Sequence, residues 1–183
     1  CVVKPIWKEI HFFDNFYNRG INWYKSCFHT SIFKYYQRKQ SQKEVITGEA
    51  TPYYLYHPLC AQRISKILPD VKLIVLLRNP IDRAYSHYVM SVRQGWENLS
   101  FEDAIKVLQK RLEGEKEKII KNKNYFSFKD LAYSYLSRGI YVNQLKTWMS
   151  LFPRNQFIVI KSEEYELFPE KILNDVLNFL HLV

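Results

Sequence analysis

The chain has 183 residues, of which 47% are hydrophobic, enough for one domain with a buried core. Twenty-seven Lys+Arg against 18 Asp+Glu give a formal net charge of +9, which points to nucleic acid, a membrane surface or a small polyanion as partner. No stretch approaches the ~20 apolar residues of a membrane span, and no nucleic-acid module signature is present. The cysteines, Cys1, Cys27 and Cys60, have no metal-ligand spacing and no disulfide framework. A reducing, cytoplasmic compartment is the simplest expectation. The first residue is Cys1 rather than Met, so the sequence reads as part of a longer chain, upstream of which any targeting segment would lie.

Residues 1–33 are aromatic-rich and irregular, with a turn at Gly20 and a short helix after Asn22 carrying Trp23, Tyr24, Cys27 and Phe28. Lys34 to Lys43 is polar and expected to be exposed. Val45 to Gly48 suits a short strand, and Thr51-Pro52 then breaks any helix. Pro58 starts a helix through Leu68, and Pro69-Asp70 turns the chain into the run Leu73 to Leu77. That run is short, uninterrupted and rich in Ile and Val, which predicts a strand buried on both faces.

The strand ends at Arg78. Asn79 is a good N-cap, Pro80 fits the first helical position and Asp82 puts a carboxylate in the first turn. Ile81, Ala84, Tyr85, Tyr88, Val89 and Val92 then recur at helical spacing as far as Gly95. Arg78 therefore lies at the carboxyl end of a strand, beside a helix N-terminus, where open α/β sheets bind ligands. Ser86 adds a hydroxyl if it faces the same crevice. Alternatively, Arg78 caps the strand and pairs with Asp82, and Ser86 is merely exposed.

Ser100 with Asp103 suggests a capping box for a helix carrying Ile105, Leu108 and Leu112. Lys110 to Lys129 is a mixed Lys/Glu segment, expected to be a solvated, mobile helical face. Helix resumes near Phe128 and breaks at Gly139. Val142, Leu145, Trp148 and Met149 then share a face. Phe157 to Lys161 is a second buried strand, and Pro169 opens a last helix with Ile172, Leu173, Val176, Leu177 and Leu180. Strands alternating with helices predict one α/β layer structure.

Three segments, KEIHFFD (8–14), GEATPYYLYHP (48–58) and LIVLLRNPIDRAYSHY (73–88), together resemble sulfotransferases that use 3′-phosphoadenosine 5′-phosphosulfate (PAPS). The likeness is to bacterial sulfotransferase-domain proteins related to heparan sulfate sulfotransferases. It extends through SRGIY and LKTWMSLFPRNQFIVIKSEEY and is weakest in the lysine-rich segment. The resemblance implies a three-layer sandwich around a central, mostly parallel sheet. It makes Arg78 and Ser86 ligands of the cofactor's 3′-phosphate and Glu9 the acceptor base. Lys8, His11 and Asp14 would lie beside Glu9, with His11 a second catalytic candidate, and Thr51 and Pro52 would line the acceptor cleft.

The chemistry suits these residue types. Sulfuryl transfer resembles phosphoryl transfer, with in-line attack and charge to stabilise on the transferred group, and a carboxylate takes the acceptor proton. Burial among Trp7, Phe12 and Phe13 would raise the Glu9 pKa. The plainer reading is a structural ion pair of Glu9 with Lys8 or His11, with His11 a satisfied core residue.

The sequence departs from the family at the glycine-containing strand–loop–helix that holds the 5′-phosphosulfate. That unit would precede KEIHFFD, where only Cys1 to Trp7 stand, and the five glycines are far apart. The expectation is a single sulfotransferase domain over 1–183, truncated at the N-terminus and shortened at the C-terminus. The fragment would be inactive alone. The expected ligands are PAPS, or its product adenosine 3′,5′-bisphosphate, and a carbohydrate or small-metabolite acceptor, with no metal, no nucleic acid and no membrane span. The rivals are a non-enzymatic 3′-phosphoadenosine-binding or scaffold domain, and a nucleoside-phosphate kinase. The kinase would need GxxxxGK[ST], which is lacking.

Overall fold

The computed structural model describes residues 2–42 and 45–182. The readings that involve Cys1, Lys43 and Val183 fall outside them. The chain opens with β1 (Val2–Val3), which pairs in parallel with β2 (Ile46–Thr47). Between them lie the KEIHFFD loop, α1 (Gly20–Ser26) and α2 (Ser31–Ser41). A 3₁₀ turn at Pro52–Leu55 leads to α3 (Cys60–Ile67), β3 (Leu73–Leu77) and α4 (Pro80–Arg93). Then come α5 (Phe101–Leu112), α6 (Glu115–Lys121), α7 (Phe128–Tyr133), α8 (Tyr141–Met149), β4 (Phe157–Lys161), α9 (Ser162–Leu167) and α10 (Pro169–Phe179). β3 and β4 are parallel, in register Leu73 to Phe157 through Leu77 to Lys161. The α/β class with parallel strands is as expected. No helix among the described residues is long and apolar enough to cross a membrane.

A first core gathers Ile10, Phe12 and Phe13 of the loop, Tyr24 and Cys27, Tyr54, Cys60 and Ile64, and Trp148, Phe152 and Phe157, with Leu73 and Val75 packed against it. The aromatic-rich opening stretch is therefore core: Phe12 stacks on Tyr24 and meets Phe13 edge-on. Trp148 joins this core and donates its indole N–H to the Leu55 carbonyl at 3.0 Å. A second core joins Ala84 of α4, Ala104 and Leu108 of α5, and Tyr135.

Four expectations are corrected. β3 is buried on one face only: Ile74 is 47% and Leu76 56% exposed, because Leu73 and Val75 take the core side and strand side chains alternate. In α4 the buried positions are Ala84, His87 and Ser91, while Ile81, Tyr85 and Val92 are exposed. Polar anchors set that rotation: His87 Nε2 bonds the Leu131 carbonyl at 3.0 Å and Ser91 Oγ donates to Ala132 O at 2.8 Å. In α8 the buried residues are Gln144 and Trp148, whereas Val142 and Met149 are exposed. There the Gln144 amide donates to Arg138 O at 2.8 Å, so a polar side chain takes an inward position.

The fourth correction concerns the lysine-rich segment, which forms α6 around a buried carboxylate. Glu115 accepts from Lys118 Nζ at 2.8 Å, Tyr125 Oη at 2.9 Å and Ser127 Oγ at 2.6 Å, and Ile119 is buried beside it. Burial pushes the Glu115 carboxyl up, but those three bonds outweigh it and leave the pKa lowered. The lysines of this segment do remain on the exposed face, as expected.

Candidate active site

The strand–helix junction forms as the sequence predicts. Asn79 caps α4 by accepting from Ile81 N at 2.9 Å, Pro80 follows, and Asp82 lies in the first turn. Tyr141 Oη donates to Arg78 O at 2.9 Å and fixes the strand end. Arg78, Asp82, Tyr85, Ser86, Met90 and Arg93 line one groove of ≈ 540 Å³ along α4. Arg78 and Ser86 are both exposed, so the structure brings the two predicted anion ligands to one open surface. Arg93, which the sequence reading left unassigned, adds a second guanidinium further along the groove. Besides Asp82, a second carboxylate sits at the helix start: Glu163 accepts from Asn79 N at 2.7 Å, which lowers its pKa.

The loop at residues 8–14 is built the opposite way. His11 stands between two carboxylates, with Nδ1 2.7 Å from Asp14 Oδ2 and Nε2 3.3 Å from Glu9 Oε2. The hydrogen bond to Asp14 raises the His11 pKa, burial opposes it, and the charges of Asp14 and Glu9 raise it further. Once protonated, the imidazole donates from both nitrogens. Asp14 is fully covered and also accepts from Asn15 N at 2.7 Å. The Glu9 side chain is 39% exposed, so the burial expected among Trp7, Phe12 and Phe13 is absent: Phe12 and Phe13 turn into the core while Trp7 faces outward. Lys8 and Pro52 are exposed; Thr51 is buried.

His11 has φ +54°, a left-handed conformation that costs a non-glycine residue about 1–2 kcal/mol. The surroundings hold it there. Its N–H reaches Thr51 Oγ1 at 3.5 Å. The next two backbone amides, of Phe12 and Phe13, donate to Tyr54 Oη at 2.8 and 3.3 Å. Arg63, buried in α3, clamps the loop's end by donating to Phe13 O at 2.6 Å and Asp14 O at 3.0 Å, and its second nitrogen reaches Lys123 O at 2.7 Å.

Glu49 ties these parts together. Its carboxylate accepts from Tyr24 Oη at 2.8 Å, Thr51 Oγ1 at 3.1 Å and Tyr54 Oη at 3.3 Å. Burial raises its pKa, the three hydroxyls pull it down, and the charge of Asp14 adds to the rise. The sequence reading missed Glu49, Arg63 and Arg138. Arg138 lies against the rings of Tyr53 and Tyr56 and bonds Ser134 Oγ at 2.7 Å and Leu131 O at 3.0 Å. The one available signal was Glu49 next to the tyrosine pair of GEATPYY: a carboxylate beside buried phenols finds partners.

A profile described as the sulfotransferase domain matches residues 5–183. The chain belongs to the sulfotransferase domain family. A sulfotransferase crystal structure from Alicyclobacillus acidocaldarius is 32% identical and superposes with a TM-score of 0.65, covering 100% of this chain and 71% of that one. The membrane-associated sulfotransferase kil1 of Dictyostelium discoideum is 26% identical over 96% of this chain and 50% of its own length. The heparan sulfate glucosamine 3-O-sulfotransferase 3B1 of Mus musculus is 29% identical over 98% of this chain and 40% of its own length. This sulfotransferase domain thus spans half or less of those two curated relatives.

Proposed function

We propose that this sulfotransferase domain moves a sulfuryl group from PAPS to a hydroxyl or amine of a carbohydrate or small metabolite. The observation that carries the reading is the groove along α4, where the strand-end guanidinium of Arg78 and the Ser86 hydroxyl share one surface near the helix start. That set suits the 3′-phosphate of PAPS, a dianion that pairs with Arg and accepts from hydroxyls. The printed names of the heparan sulfate relatives support a carbohydrate acceptor. Two free, buried thiols, Cys27 and Cys60, are compatible with a cytoplasmic site of action.

In this reading Glu9 takes the acceptor proton. Its exposed carboxylate is reachable, and the His11 imidazolium, itself held by Asp14, orients it. Lys8 and Pro52, both exposed, lie along the acceptor's path. The loop and β3 pack on one core, through Phe12 and Phe13 on one side and Leu73 and Val75 on the other, so the base's loop and the strand that ends at Arg78 share a core, while α4 packs through Ala84 into the second.

The described residues do not supply a glycine-rich cradle for the 5′-phosphosulfate. Gly20, Gly95 and Gly114, the glycines with positive φ, lie in separate turns. Removing even one preorganised donor to developing charge typically costs ~10²–10³-fold. We therefore expect this chain by itself to bind the bisphosphate and to give no detectable transfer of labelled sulfate from PAPS. Clear turnover by these residues alone would demand another 5′-phosphate site among them.

The test of the reading is calorimetry with adenosine 3′,5′-bisphosphate and adenosine 5′-monophosphate. A hydrogen bond to a charged group contributes ~1.5–3 kcal/mol, so Arg78→Ala should weaken the bisphosphate roughly 10- to 100-fold and erase most of the preference over the monophosphate. Equal binding of both nucleotides by wild type and variant would refute the assignment.

A further inference from the structure

We infer that Glu49 is the positioning residue of the Glu9–His11–Asp14 cluster, acting through the hydroxyls of Thr51 and Tyr54. The inference rests on the reading of Glu9 as acceptor base only for its consequence in turnover; the positioning itself is geometric.

The argument starts from the loop. His11 at φ +54° turns the chain so that its ring lies between Glu9 and Asp14. A side chain is locked in such a place only if the groups around it are themselves fixed. The amide of His11 reaches Thr51 Oγ1, and those of Phe12 and Phe13 share Tyr54 Oη. Each of these hydroxyls accepts from the loop and has a single proton left to give. Both protons go to Glu49, at 3.1 Å from Thr51 and 3.3 Å from Tyr54. The carboxylate thereby sets the direction in which each hydroxyl presents its lone pairs to the loop. Tyr24 Oη, at 2.8 Å, anchors Glu49 in turn to α1. Glu49 thus links α1 directly, and the 8–14 loop through Thr51 and Tyr54; of these groups the family resemblance puts only Thr51 at the acceptor cleft, and its buried hydroxyl is bonded to Glu49.

The titratable and charged groups around the cluster are few. On the loop itself they are Lys8, Glu9 and Asp14; Glu49 faces it through Thr51 and Tyr54; Arg63 of α3 holds the Asp14 carbonyl. His57 and Arg138 each feel the charge of Asp14. A shift in His11 titration therefore reports whether Asp14 and Glu9 keep their places beside the ring.

The experiment is ¹⁵N NMR titration of the His11 imidazole in the 183-residue chain, with thermal melting followed in parallel. Glu49→Gln keeps the size but presents an amide where two acceptor oxygens stood, so one hydroxyl must turn away. The His11 midpoint should fall from its raised value toward the ordinary 6.5 as the ring loses its carboxylate partners. Thr51→Val, which removes one relay, should move it the same way, and Thr51→Ser, which keeps the hydroxyl, should restore the wild-type midpoint. A merely structural Glu49 would lower the melting temperature and leave the His11 midpoint in place, and that result overturns the inference. If Glu49→Gln does not fold, the Thr51→Val and Thr51→Ser pair decides alone: equal midpoints overturn the inference, a valine-specific fall supports it. This readout needs no turnover, so it stands apart from the calorimetric test of the nucleotide groove.

Discussion

The groove along α4 and the loop around His11 both place charge at a surface, yet they are built in opposite ways. Arg78 stands exposed just past the end of β3, and Ser86 on α4, a helix whose own buried contacts, through Ala84, His87 and Ser91, lie on its other side. In the loop, by contrast, Asp14, Thr51, Tyr54 and Arg63 are buried and bonded to one another or to backbone. Polar groups interlocked inside a protein carry preorganisation, because they do not rearrange when charge develops nearby. Polar groups presented to solvent around a helix N-terminus are suited to take a ligand from solution. In the function proposed above, one region binds and the other holds a geometry. Each prediction below separates the two.

The largest effect is expected at the loop. Glu9→Gln keeps size and hydrogen bonding but cannot accept a proton. In a turnover-competent protein that contains this chain, kcat should fall ~10²–10⁴-fold, with bisphosphate affinity near wild type. An unchanged kcat would remove Glu9 from the mechanism and turn attention to His11.

Acid should strike both regions, because a buried neutral histidine underlies each. His57, beneath the loop, is held down to about 4, chiefly by burial and further by the charges of Arg63 and Arg138. His87, beneath the groove, is held down to about 3 by burial and by the charges of Arg138 and Arg83. Both folded values lie below the 6.5 of the unfolded chain. Their contribution to stability is therefore complete above pH 6.5 and is lost as pH falls from there toward 3–4. Each histidine costs about 1.4 kcal/mol per pH unit in that window, or about 2 kcal/mol apiece at pH 5. His11 has the opposite sign: its raised pKa stabilises the fold below 6.5, and that share is lost as pH rises through its folded value. Urea midpoints at pH 7 and pH 5 measure the balance. His87→Gln, which can still donate to the Leu131 carbonyl, should flatten the acid loss by about half, and a pH-independent wild-type midpoint would contradict the buried-neutral assignment.

How much of this was legible in the sequence follows the same division. The start of the groove was read from local signals, the strand, the N-cap and Pro80, while the pairing of Arg78 with Ser86 came from the family resemblance and the lining by Tyr85, Met90 and Arg93 was not foreseen. The loop was read only in part. Glu9, His11 and Asp14 could be named from one segment, but their supports, Glu49, Thr51, Tyr54 and Arg63, come from residues roughly 40 to 50 positions away. Pairings of that range leave no periodic trace. The face of α4 was misjudged for a related reason. Apolar spacing favoured Ile81, Tyr85 and Val92, whereas His87 and Ser91 win the inward positions through bonds to the carbonyls of Leu131 and Ala132. A hydrogen bond to a partner outside the window reverses what a hydrophobic period suggests. The lysine-rich segment was misread for want of one fact: Glu115 is a buried acceptor for three side chains.

Arg63→Ala probes the loop's far support. Its guanidinium holds the carbonyls of Phe13, Asp14 and Lys123, and removal leaves buried acceptors without donors. The expected loss is on the order of 3 kcal/mol, read as a fall in melting temperature, and bisphosphate affinity should hold where the variant is folded. A mild effect on stability would mean that Tyr54 and Thr51 keep the loop without it.

The smallest effect asks whether the groove depends on support of its own. Ser100 caps α5 by accepting from Asp103 N at 3.2 Å, and α5 packs Ala104 and Leu108 into the second core with Ala84 of α4. Losing an N-cap of this kind typically costs about 1 kcal/mol, so Ser100→Ala should lower stability by that amount through fraying of the first turn of α5. The groove should not notice. α4 is held independently of Ser100 by His87 and Ser91 on the carbonyls of Leu131 and Ala132 in α7, and by Asn79 at its own start. Bisphosphate affinity measured at 25 °C, well below the melting transition, should match wild type. A parallel loss of affinity and stability would mean that the groove is shaped by the packing of α5 beneath it, and the contrast between an independently presented binding surface and an interlocked loop would no longer hold.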